Sequence, residues 1–283
     1  MRRREKFTIH TTVRPHDPLR AVDFLAERVE LSKICIKDAM VKGAVWLKRK
    51  GKRAERLRRA STPLKPGDSL EFYYDAFLLA ITPPTARCVS DQHRYSVWEK
   101  PAGVLTQGTR YSDHCSLLRQ VETSFSPRRD VFPVHRLDRE AWGLVCVAHT
   151  KNAAANLSHL FREHLAVKRY HIEVMGNLAS YGNHGSITRP LDGKEALTEY
   201  TVESYSPEMN TTTVHVVIKT GRYHQIRRHF ATIGFPVMGD PRYGRGNKNT
   251  EGMKIAAVRL EFRCPFSGRE MVFSLEEIVE SSV

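Results

Sequence analysis

Long apolar runs are missing from this chain. No stretch of its 283 residues approaches the roughly 18 uninterrupted apolar positions that a membrane helix needs, and the opening Met-Arg-Arg-Arg-Glu-Lys lacks the apolar core of a secretory signal. Cysteine is scarce: Cys35, Cys88, Cys115, Cys146 and Cys264 are odd in number and form no Cys-x-x-Cys pair, which argues against a thiolate metal site, a dithiol redox site or a disulfide framework. Reduced thiols and no membrane segment lead to the expectation of a cytoplasmic protein. The thirteen histidines show no His-Glu-x-x-His or comparable ligand spacing, so neither metal nor cofactor is expected. Internal repeats and low-complexity tracts are absent too. Acidic residues are in short supply, with 31 Asp and Glu against 45 Lys and Arg for a net charge of +14. Such a surface attracts polyanions, and nucleic acid leads acidic lipid because no basic amphipathic helix of the right length is evident. A protein partner is not expected, and the chain reads as a monomer.

The length suits two cores. Near the N-terminus, Leu19, Val22, Leu25 and Val29 recur at helical spacing, and "SKICIKDAMVKG" reads as a second helix with Ser32 as N-cap and Gly43 as stop. "AVWLKRKGKRAERLRRAST" then runs through a mostly cationic stretch from Lys48 to Arg59, and "PLKPGDSLEFYY" supplies a turn at Pro66-Gly67-Asp68 and a closing strand. A charge run of this kind is either a solvated hairpin or a phosphate-binding one. Residues 76–90, with Pro83-Pro84, read as a linker.

From residue 91 strands outnumber helices. "RYSVWEK", "GLVCVA", "KRYHIEVMG", "TTVHVVIKT" and "KIAAVRLEFRCP" read as strands, and Tyr170, Ile172 and Val174 alternate with Arg169, His171 and Glu173. "KNAAANLSHLFREH" and "SLLRQVETSF" read as helices. Strands that do not alternate regularly with helices predict an α+β domain: a mixed, largely antiparallel β-sheet flanked by helices and loops. The predicted organisation is a small α/β domain over 1–75, a linker over 76–90 and a larger domain over 91–283.

Two segments of the larger domain carry chemistry-bearing residues. "VFPVHRLDREAWGLVCVAHT" places Asp138 among His135, Arg136 and Arg139 directly ahead of a buried strand. "TGRYHQIRRHF" follows a strand without a gap; Gly221 suits a sharp turn, and Ile226, Phe230 and Ile233 would bury one helix stripe while His224, Arg227 and Arg228 face elsewhere. A strand end, a glycine and a cationic helix start suit an anion. Alone, the first segment also fits a solvated turn ahead of a buried strand, and the second a surface helix with ordinary charges.

In order, "KPAG", "HRLDRE", "KRYHIEVMG", "ALTEY", "TGRYHQIRRHF", "GDPRYG" and "LEFRCP" resemble the pseudouridine synthases of the RluA type, over nearly all of residues 91–277. Residues 12–74, through "LSKICIKDAMVKGAVWL" and "LKPGD", resemble the small αL-motif RNA-binding domain named after a small-subunit ribosomal protein, although the Arg-rich stretch is longer than the usual turn.

The resemblance implies isomerisation of uridine to pseudouridine in ribosomal or transfer RNA, without metal or energy source. It implies Asp138 as the nucleophile that attacks the target uridine, so that the base leaves its nitrogen link, turns and rejoins the ribose through carbon. A nucleophilic carboxylate enclosed beneath a base must stay ionised; an opposite charge about 4 Å away contributes roughly 4 kcal/mol at an effective dielectric of 20, before desolvation. Arg222 matches the family's partner for that charge. Arg136 matches the arginine that enters the RNA helix where the nucleotide is extruded, a step costing a few kcal/mol. Tyr170 matches the aromatic residue that packs on the base, its hydroxyl placed to assist proton removal; a tyrosine buried in the sheet would read the same.

Lys100, Arg227 and Arg228 are expected to bind phosphate, and His135 and His224 to serve structure or the RNA backbone. Further RNA contacts are expected from Lys33, Lys37, Arg49, Lys52 and Arg53. Ala141-Trp142 stand where many members carry Thr-Ser, and Tyr223 where Thr is commoner, so a hydroxyl that braces the loop is missing. The competing reading is a catalytically silent RNA-binding or ribosome-assembly factor, which would have no use for Asp138. A metal-dependent nuclease would need clustered carboxylates, and the motifs offer Asp138, Glu140 and Asp240.

Overall fold

The computed structural model describes residues 6–244 and 251–275. The chain divides into two compact units, one running to Pro83 and taking in Gln107–Gln120, the other comprising Pro84–Thr106 and the chain from Val121 onward.

The first unit carries β1 (Lys6–Thr12), α1 (Ala21–Ala26), α2 (Lys33–Val41), β2 (Val45–Lys48), β3 (Glu55–Arg56), β4 (Ser69–Asp75) and α3 (Ala76–Leu79). Its antiparallel sheet has the order β1-β4-β2-β3. The Ser32 hydroxyl accepts from the Cys35 N–H at 3.3 Å and so starts α2. Phe24, Leu25, Ile36, Met40, Leu70 and Phe72 are fully buried between the helices and the sheet. The basic run forms a hairpin, but two of its arginines turn inward: Arg56 and Arg58 both pair with Asp113, and the Trp46 indole N–H donates to the Arg110 carbonyl at 2.9 Å. That is why Gln107–Gln120 belongs with this unit.

The second unit contains β5 (Arg87–Asp91), β6 (Tyr95–Lys100), β7 (Phe132–Pro133), β8 (Trp142–Ala148), α5 (Lys151–Arg162), β9 (Val167–Met175), a 3₁₀ turn (Leu178–Ser180), β10 (His184–Ile187), β11 (Thr198–Ser206), β12 (Thr211–Ile218), α6 (Gln225–Thr232), β13 (Ile255–Arg263) and β14 (Glu270–Ser274). Helix α4 (Leu117–Ser124) starts within the first unit and ends in this one. The sheet runs β10-β11-β12-β9-β13-β8-β6-β5, with β14 on β13 and β7 on β8. All its described ladders are antiparallel except β8 with β13, which is parallel and registers just Ala256 with Trp142 and Ala257 with Gly143. This is the α+β, largely antiparallel architecture expected. Gly143 permits the parallel pairing: its φ is +117° and a Cβ there would lie 2.3 Å from the Ala257 carbonyl oxygen.

Residues 76–79 are helical, and Arg87–Asp91 is a strand paired with β6, so the segment expected as a linker carries regular structure at both ends. Its polar composition, Arg87-Cys-Val-Ser-Asp91, is that of an edge strand. Among the described residues no helix is long and apolar enough to cross a membrane.

Candidate active site

The loop between β7 and β8 carries Asp138, and backbone hydrogen bonds fix it. Thr106 Oγ1 donates to the Leu137 carbonyl at 2.8 Å and accepts from the Leu137 N–H at 3.1 Å. Lys100, fully buried at the end of β6, donates to the carbonyls of Pro101, Val104, Arg139 and Ala141 at 2.6–3.4 Å. Burial lowers its pKa to about 8 against the pull of Asp138 and Glu140. A side chain with no exposed surface cannot reach a phosphate, so the expected phosphate role of Lys100 is corrected to bracing. This ammonium ties down the loop that lacks the usual hydroxyl at Ala141-Trp142.

Asp138 opens onto a cavity of about 460 Å³, within the size range of small-ligand sites. Its carboxylate accepts from Arg227 Nη1 at 2.8 Å, and His224 Nε2 lies 3.6 Å away. Arg227 is the third residue of α6 and is buried at 2% exposure; its remaining face binds Asp240 through Nε at 2.7 Å and Nη2 at 2.9 Å. Burial works against its charge, but the hydrogen bonds to Asp240 and Asp138 hold its pKa above the ordinary arginine value. Burial would raise the Asp240 carboxyl, yet Arg227 and the N–H groups of Tyr243 and Arg242 bring it below the usual carboxylate range. Gly239, at φ +73°, lets the chain pass Gly252, whose carbonyl oxygen would lie 2.1 Å from any Cβ.

The partner of Asp138 is therefore Arg227 rather than Arg222. Arg222 lies in the turn before α6; its Nε donates to the Glu195 carbonyl at 2.9 Å, though its side chain still lines the cavity. The phosphate role expected of Arg227 is likewise corrected, because both edges of its guanidinium are spent on carboxylates. Gln225 fixes the turn: its Oε1 accepts from Thr220 Oγ1 at 2.7 Å and the Arg222 N–H at 3.0 Å, while Nε2 donates to the Leu197 carbonyl at 2.9 Å. The left-handed residue is His224 (φ 53°), not Gly221, a backbone state of the kind concentrated at functional sites. The His224 ring stacks on Tyr223 at 3.7 Å, and burial lowers its pKa despite the charge of Asp138.

Tyr170 on β9 lines the cavity at 7% exposure. Burial, with the charge of Asp138 added, raises its hydroxyl above the ordinary phenol range, so it carries its proton at neutral pH. Lys168, two residues earlier on the same strand face, also lines the cavity, and burial lowers its pKa to about 8. Sequence reasoning passed over Lys168, Gln225 and Asp240 as site residues. The signal for Lys168 was a cation at a position in phase with Tyr170 and Ile172.

Arg136 is exposed and lines the cavity. His135 accepts from the Cys146 N–H at 3.0 Å and stacks on Phe161 at 4.3 Å; burial, then the charge of Lys168, lowers its pKa to about 3. It is thus a neutral packing residue rather than an RNA contact. Arg228 makes a two-pronged pair with Asp192 at 2.8 and 3.0 Å. In the other unit, Lys33, Lys37, Lys52 and Arg53 are exposed, Lys33 being paired with Asp23, while Arg49 is half-buried beside the Pro63 carbonyl.

Fold and site together define an α+β protein with an enzyme-type centre: a carboxylate gripped by a buried guanidinium inside a ligand-sized cavity. A family model described as RNA pseudouridylate synthase matches residues 94–232. The dual-specificity RNA pseudouridine synthase RluA of Pasteurella multocida is 31% identical over 218 residues, spanning 70% of this chain and 97% of the relative. The tRNA pseudouridine synthase C of Vibrio parahaemolyticus is 32% identical over 210 residues, spanning 61% of this chain and 82% of the relative. Among solved structures, human RNA pseudouridylate synthase domain containing 1 shares the fold, with a TM-score of 0.57 and 21% identity over 71% of this chain and 97% of that one. The chain belongs to the RluA-type RNA pseudouridine synthases, a family of isomerases.

Proposed function

We propose that this protein converts uridine to pseudouridine in structured ribosomal or transfer RNA, with Asp138 as the nucleophile acting on a base turned out of its stack. The observation that carries the reading is the Asp138–Arg227–Asp240 chain, in which a buried cation fixed from behind holds a carboxylate toward a cavity. A nucleophilic carboxylate needs that arrangement, since the cation favours its charge and the second carboxylate fixes the cation. In this reading Tyr170 packs its ring on the base and offers a protonated hydroxyl, and Arg136 fills the gap left in the RNA helix. Arg222, Arg228 and Lys168 contact substrate phosphate or ribose. The basic first unit grips RNA backbone through Lys33, Lys37, Lys52 and Arg53.

RNA from cells with and without the protein, treated with a reagent that marks pseudouridine and halts reverse transcription, would show one or a few missing stops. Restoring the gene with Asp138→Asn should not return them, while purified Asp138→Asn should bind the RNA nearly as well as the unaltered protein. An active Asn variant would sink the nucleophile. Unchanged stops in the deletion strain would instead favour a catalytically silent RNA-binding factor.

A further inference from the structure

On β9, His171 falls between Tyr170 and Ile172, which are buried, and so points to the other face of the sheet. His215 of β12 is its direct cross-strand partner. On the next strand, β11, the register breaks between Val202 and Ser204, leaving Glu203 as the extra residue of a bulge, a device that re-aims a side chain. The result is a convergence of three side chains from three adjacent strands. Glu203 Oε2 lies 2.8 Å from His171 Nε2 and 3.5 Å from His215 Nε2, and all three ligand atoms fall within 4.8 Å of one another.

We propose that His171, Glu203 and His215 bind a divalent transition-metal ion of the zinc type. Metal–ligand distances of about 2.0–2.2 Å in a tetrahedron put neighbouring ligand atoms roughly 3.3 Å apart; the separations of 2.8 and 3.5 Å bracket that value, so an opening of the His171–Glu203 hydrogen bond by about half an ångström admits the ion. Two imidazoles and a carboxylate suit zinc, nickel or copper better than magnesium or calcium. The side chains are 43%, 47% and 50% exposed, so the ion enters from solvent and keeps water in its remaining position. The residues are 32 and 12 positions apart in the chain, which is why no spacing motif announced them. Lying across the sheet from Asp138, the ion takes no part in the isomerisation; it ties β9, β12 and β11 together at the solvent side. Around it, Arg169 is paired with Glu261 and Lys219 with Glu199, and Glu173 stands two residues along β9 from His171.

The test is calorimetric titration of the tag-free, chelator-treated full chain with zinc chloride. One saturable equivalent is expected, with His171→Asn plus His215→Asn abolishing it and Glu203→Gln weakening it about tenfold or more. Absence of saturable binding, or an unchanged isotherm in the double variant, would overturn the site. Should a variant fold poorly, cobalt bound to the unaltered chain gives an independent reading. Visible bands of tetrahedral intensity that zinc displaces support the site, and a spectrum of hydrated cobalt refutes it. Magnesium chloride under the same conditions should give no heat of saturable binding.

Discussion

Arg227 serves two carboxylates at once, and its burial makes the arrangement unforgiving. Replacing it with Met leaves Asp240, itself 1% exposed, with an uncompensated charge, a loss that typically costs about 3–5 kcal/mol. Urea denaturation of Arg227→Met should show a drop of that order together with lost activity. Adding Asp240→Leu should recover part of the stability and none of the activity. Lys168 behaves in the opposite sense. Its folded pKa, about 8, lies below the ordinary lysine value of 10.5, so the unfolded chain binds the extra proton between those values, and its burial opposes folding most below pH 8. Lys168→Met should therefore be more stable than the unaltered protein at pH 7, with the advantage shrinking as pH rises from 8 to 10.5. Its activity should fall at the same time, because in the proposed complex the ammonium meets substrate phosphate or ribose. Asp138 was legible in the sequence through the resemblance that its motif, His135-Arg-Leu-Asp-Arg-Glu140, carries, since the stretch alone also fits a solvated turn. Its partner was not: Arg222 and Arg227 share one motif, and the turn locked by Gln225 decides which of them reaches the carboxylate.

At the level of elements, alternation foretold β9 and β12, where one buried face imposes a period of two, while β6, β8 and β13 were legible as short apolar stretches and are buried along most of their length. Strands β5, β10 and β11 escaped; Thr198-Glu-Tyr-Thr-Val-Glu-Ser-Tyr-Ser206 mixes polar residues on both faces and contains a bulge that shifts its phase. The loop before β8 shows the same limit. Nothing local says that Lys100 will also reach the carbonyls of Arg139 and Ala141, since that depends on where the chain returns 39 to 41 residues later. Gly143 tests the strand that follows. In Gly143→Ala the added methyl meets the Ala257 backbone, and overpacking of this kind costs about 1–3 kcal/mol, more where φ is positive. Thermal unfolding should register the loss. Activity at a permissive temperature should fall as well, because the displaced strand carries the Asp138 loop with it.

Over the whole molecule, the net charge of +14 predicts salt-sensitive RNA binding, and the exposed cations of the first unit offer a cleaner probe than truncation. Removing 1–75 would strip Asp113 of Arg56 and Arg58 and take Trp46 from Arg110, confusing lost contacts with lost folding. Changing Lys33, Lys37, Lys52 and Arg53 to Gln should instead flatten the dependence of log K on log salt by about 0.7–0.9 for each phosphate contact removed. An unaltered slope would exclude these side chains from the interface.

The parallel pairing of β8 with β13 has a consequence of its own. Two antiparallel ribbons meet there over two registered residue pairs, and the cavity draws Asp138 from one ribbon and Tyr170 from the other. A sheet yields first along its thinnest stitching. The amide proton of Ala257, whose nitrogen faces Gly143 of β8, should accordingly exchange with deuterium sooner than those at the middle of β9 or β12, and a guest entering between the ribbons would slow it.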